Sequence, residues 1–81
     1  MKKLYVIKNT KGQYIDRSGW WTPELDRARI YPKQMTAHLR MLALKKQFKA
    51  YRNMEAEQKK MFLTELNVVE GGVVEMMDGA A

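Results

Sequence analysis

Hydrophobic positions along the chain follow two periods. Leu4 to Lys8 is a short apolar run containing Tyr, Val and Ile, residues that suit a pleated, half-buried surface. Asn9-Thr10-Lys11-Gly12 follows, with Asn and Gly placed for the positive φ angles of a tight loop, and Gln13 to Asp16 reads as the returning strand. The pattern predicts an amino-terminal β-hairpin. Arg17-Ser18-Gly19 forms a second turn, after which Trp20-Trp21 starts another extended segment. Thr22-Pro23-Glu24 is a helix-start signal, in which Thr caps, Pro suits the first helical position and Glu opposes the positive end of the dipole. A short helix over 23–28 is expected. Pro32 biases Tyr31 towards an extended backbone, so Arg29 to Tyr31 is expected to return to the sheet.

The period then changes to 3.6. Ala37, Met41, Leu44, Phe48 and Tyr51 recur at spacings of four, three, four and three, which aligns them on one stripe of a helix. No Gly or Pro interrupts the segment, and strong helix formers dominate it, so a helix is predicted over about 34–52 with this stripe as its core face. Two readings are open after Arg52. Asn53-Met54-Glu55 caps a second helix to about Phe62, supported by a Glu55–Lys59 pair, or a loop leads into a strand near 62–69. Leu66 to Val69, Glu70-Gly71-Gly72 and Val73 to Met77 read as a second hairpin, and 78–81 as a loose end. The fold class predicted is a single α+β domain: a small antiparallel sheet, made of the amino-terminal hairpin and the carboxy-terminal strands, packed on one main amphipathic helix.

That helix carries more than a core stripe. Met35, Leu39 and Leu42 form a second apolar line away from the first, which either the carboxy-terminal segment or another chain must cover. A second copy would meet this patch across a two-fold axis, so a homodimer is one of the alternatives. His38, Lys45, Lys49 and Arg52 form a third line, a cationic edge that suits phosphates or an acidic partner, or serves only as a solvated face.

Charge sharpens this picture. The net charge is +6, but residues 61–81 hold Glu65, Glu70, Glu75 and Asp78 and no Lys or Arg, which is −4 and leaves +10 on the first sixty. From Arg27 to Arg52 there are eight basic residues and no acidic one (Arg27, Arg29, Lys33, Arg40, Lys45, Lys46, Lys49, Arg52). Such a segment calls for a negative surface, from the chain's own acidic end or from a partner.

Length and composition bound the remaining choices. A chain of 81 residues, 46% hydrophobic and 30% charged, is a one-domain globular length with one modest core. Cysteine is absent, and a small secreted domain would usually need disulfides, so the cytoplasm is expected. The basic start Met1-Lys2-Lys3 precedes only four apolar residues, too few for a signal peptide, and no stretch approaches a membrane span.

The inventory argues against catalysis. One Ser, one His and no Cys leave only Ser18 and His38 for a nucleophile and base, and their spacing suggests no triad. Zinc lacks its usual ligands, Asp16, Glu24 and Asp26 match no calcium loop, and Gly71-Gly72 lacks the Lys and Ser/Thr of a phosphate loop. Neither a metal nor a cofactor is implied. Trp20 and Trp21, if extended, point to opposite faces, so one enters the core and the other is a candidate partner contact. Its alternative is to lie flat beneath a Lys or Arg stem.

Tyr5-Val6-Ile7-Lys8-Asn9-Thr10-Lys11-Gly12-Gln13-Tyr14-Ile15, then Trp21-Thr22, then Leu25-Asp26-Arg27-Ala28-Arg29-Ile30-Tyr31 resembles small uncharacterised accessory proteins encoded by bacteriophages. The resemblance spans about residues 5–31 and contains no catalytic signature. It implies a host-takeover or anti-defence protein that binds and disables a host factor in the host cytoplasm. Two functions are therefore carried forward. The first is a non-catalytic inhibitor or modulator of a host protein, as a monomer or homodimer. The second is a nucleic-acid-binding module that uses the basic 27–52 segment.

Overall fold

The computed structural model describes residues 3–68, together with the backbone of 69 and 72–75. It is an α+β arrangement: one long helix lies on an antiparallel sheet. The strands are β1 (Lys3–Asn9), β2 (Tyr14–Ile15), β3 (Trp21–Thr22), β4 (Met61–Val69) and β5 (Gly72–Glu75), in the order β3-β2-β1-β4-β5. The helices are α1 (Gln34–Lys49) and the single turn α2 (Ala56–Lys59), and a 3-10 turn covers Leu25–Arg27.

The amino-terminal hairpin forms as its turn chemistry requires. The Asn9 side chain is buried and its Oδ1 accepts from the Lys11 and Gln13 backbone N–H groups at 2.9 and 3.1 Å, closing an Asx turn. Gly12 supplies the positive φ of 81°. The next turn is built around Asp16. Its Oδ1 accepts from the Ser18 N–H (2.9 Å), the Ser18 hydroxyl (2.5 Å) and the Trp20 N–H (3.1 Å). These bonds, the Ser18 hydroxyl first, hold the Asp16 carboxyl below its ordinary pKa because they favour the charged form. Gly19 completes that turn at φ 87°.

The predicted helix over 23–28 is shorter than expected. Thr22 Oγ accepts from the Glu24 N–H at 3.3 Å, but only the 3-10 turn follows, and Glu24 at its start makes no side-chain cap. Arg29 to Tyr31 does rejoin the sheet edge: Tyr5 and Tyr31 exchange two backbone bonds of 2.8 Å where β2 is too short to reach.

The region after Arg52 combines both readings of the sequence. The helix is one turn, and β4 then begins at Met61, pairing with β1 from Asn9↔Met61 through Lys3↔Asn67. The expected Glu55–Lys59 pair is replaced: Glu55 reaches across to Lys11 at 2.8 Å. The second hairpin has its expected partners, with Val68 opposite Val73. Its turn residues 70–71, and the loose end expected over 78–81, lie outside the described residues.

Both faces of the sheet are covered to different depths. On the α1 side, Ile7, Ile15, Trp21, Tyr31 and Met61 meet Ala37, Met41, Leu44 and Phe48. On the other side Val6, Tyr14, Ala28 and Leu66 form a smaller cluster beneath Leu25. Strand alternation explains the division, since Ile7 and Val6 are neighbours on β1 and must face opposite ways.

The main helix ends before the predicted Arg52. The Ala50 N–H already bonds to Gln47 and Phe48 carbonyls, and the Tyr51 N–H bonds to Phe48 O at 3.0 Å, tightening the last turn. Tyr51 therefore leaves the core stripe and is 37% exposed, and Arg52 is not a helical residue. The four other stripe residues are buried.

Candidate docking surfaces

Helix geometry places the second apolar line opposite the first. At 3.6 residues per turn, Met35, Leu39 and Leu42 project roughly 180° away from Ala37, Met41, Leu44 and Phe48. Their exposures are 66%, 59% and 47%, so no described part of the chain covers them. The expectation that the carboxy-terminal segment covers this line fails for the residues described, because β4 and β5 extend the sheet sideways beyond β1 instead of folding over α1. The spacing of four and three continues from Leu42 to Lys46 and Lys49, giving an outer seam that is apolar in its first half and cationic in its second.

The helix bearing this seam has no acidic residue between Gln34 and Lys49, against Arg40, Lys45, Lys46 and Lys49. Among the described residues, none of these four makes an ion pair. Glu65, one of the acids proposed to neutralise the basic stretch, faces Lys3 at 3.6 Å instead. The Glu70 and Asp78 positions, and the Glu75 side chain, lie outside the described residues.

The cationic line separates into three places. Lys45 and Lys49 border a groove of about 520 Å³ whose other side carries Lys59 and Lys60, with Met61 and Phe62 also lining it. Thr10 lines one end. Its hydroxyl donates to the Glu57 carboxylate at 2.6 Å and lies 3.0 Å from the Glu57 carbonyl, pinning the hairpin loop to α2. That bond, then the nearby Lys60, lowers the Glu57 pKa from its ordinary value. Lys60 is 3.7 Å from Glu57, whereas Lys45, Lys49 and Lys59 have no carboxylate partner among the described residues. His38 is exposed on the helix, beside the ridge. Arg52 lies elsewhere, in a concavity of about 560 Å³ with Trp20, Tyr51, Met54 and Gln58.

The tryptophans divide as alternation requires. Trp21 is buried and Trp20 is 50% exposed. Trp20 packs edge-on to Phe48 at 5.8 Å and tilted to Tyr51 at 6.2 Å, so the end of α1 holds it as an aromatic shelf. Arg40 extends towards the same side, its Nη2 3.5 Å from the position a Cβ on Gly19 would take.

Thr10, Lys59 and Lys60 lie outside the basic 27–52 segment that the sequence singles out. The adjacency of Lys59 and Lys60 to Met61 and Phe62 is visible in the chain, but only the β1–β4 pairing brings them against Lys45 and Lys49. No helix among the described residues is long and apolar enough to cross a membrane. No protein-family model, curated protein or solved structure matches the chain.

Proposed function

We propose that the chain is a non-catalytic binding protein that docks on an acidic, partly apolar surface of a host-cell protein through the outer face of α1. The supporting observation is the exposed line of Met35, Leu39 and Leu42 on a helix whose charged groups are all positive. Apolar side chains give such an interface its buried centre, and the cations select a partner of opposite sign and hasten its encounter. A second copy is the weaker occupant. Two-fold pairing sets two acid-free helices side by side, each carrying Arg40, Lys45, Lys46 and Lys49, with no helical carboxylate to offset the repulsion. The resemblance of residues 5–31 to phage accessory proteins supports a cytoplasmic host factor as target, a defence component among them, and inhibition as the outcome. The single Ser is engaged with Asp16, which accords with binding rather than catalysis.

The test compares immobilised wild type with L39Q/L42Q, which keeps helix-forming residues and removes only the apolar ridge. One stoichiometric, acidic partner should be retained from host extract by the wild type and lost by the variant, with retention weakening as salt rises. Equal recovery on both resins, or sedimentation of the wild type as a stable dimer, would overturn the assignment.

A further inference from the structure

We propose that the lysine groove between α1 and α2 is a second binding site, which shares Lys49 with the outer seam but none of its apolar residues, for the sugar–phosphate backbone of nucleic acid. Four lysines converge there from two stretches of chain. Lys45 and Lys49 stand one helical turn apart on α1, and Lys59 and Lys60 close the opposite side at the end of α2. Three of the four have no carboxylate partner among the described residues, so their charge is available to a ligand.

The residue types are compatible with phosphate. A lysine ammonium is a compact point charge that meets an anion from many directions and binds phosphate without a fixed bidentate geometry. No arginine lines the groove. Point charges of this kind suit a sequence-independent backbone, which presents one phosphate after another.

Fluorescence anisotropy with a labelled twenty-nucleotide oligo-dT tests the site. Wild type should bind at about 50 mM salt, and raising salt to about 200 mM should weaken binding roughly 50-fold if four lysines displace counterions from the single strand. K45Q/K49Q should weaken binding at the lower salt at least about tenfold and reduce the salt slope by about half. L39Q/L42Q should bind the oligonucleotide as wild type does, so failure here leaves the ridge reading standing and the converse also holds. The proposal is overturned by absence of binding at about 50 mM salt or by K45Q/K49Q binding unchanged. Poly-glutamate of matched charge competing as well as the oligonucleotide overturns the phosphate assignment.

Discussion

The inner and outer faces of α1 are built from similar residues at similar spacing, yet they meet opposite surroundings. Ala37, Met41, Leu44 and Phe48 step by four, three and four and are buried, while Met35, Leu39 and Leu42 step by four and three and are exposed. The difference lies in what each line becomes at its carboxy-terminal end. The inner line finishes in Phe48, which packs both tryptophans and Tyr51. The outer line runs into Lys46 and Lys49, whose hydration opposes burial against an apolar layer. Apolar spacing thus identifies a face that can be buried, and its polar continuation indicates whether the chain itself buries it.

Substitutions sharpen this contrast. The largest effect is expected from F48A, which opens a cavity where the sheet, α1 and the aromatic shelf meet and should cost about 3–5 kcal/mol in urea unfolding. Leu44, also fully buried, should cost about 2–5 kcal/mol on truncation to alanine, placing it beside Phe48 and far from Leu42. W20A should cost about 1 kcal/mol, because the ring is half exposed but stacks on two aromatics.

D16A should cost about 1 kcal/mol at neutral pH by removing the acceptor of the second turn. Its pH dependence has a definite sign. The folded pKa of Asp16 is lowered, so its contribution is present above the ordinary value of 3.8 and is lost as pH falls through the lower folded value. Wild type and D16A should therefore differ in stability at pH 7 and converge in strong acid, as followed by urea melts at several pH values.

The contrast also separates what the chain discloses from what only its fold does. The amino-terminal hairpin was legible because Asn9 and Gly12 carry their turn chemistry locally, and the inner stripe because four buried residues share one period. The end of α1 was not. Tyr51 matches the stripe, but the chain leaves the helix at Ala50, and its ring then stacks with Trp20 and Phe48 outside the core. Similarly, Met61-Phe62-Leu63 hides the start of β4, because adjacent apolar residues on a strand with two covered faces obscure simple alternation. The lysine groove required Lys45 and Lys49 to meet Lys59 and Lys60 through tertiary pairing, which no local spacing encodes. The exposed Met35, Leu39 and Leu42 were recognisable as a spare line, while the choice between internal cover and a free surface depended on where β4 and β5 were placed.

Thermal unfolding of L39Q/L42Q beside L44A tests most directly whether α1 seals the core with one side only. The double variant should melt within about 4 °C of wild type, since exposed substitutions of unchanged helix propensity alter stability by about 0.5 kcal/mol or less. L44A should melt far lower. A loss in L39Q/L42Q as large as that in L44A would mean that the chain's own residues already cover the outer ridge, leaving no surface there for a partner.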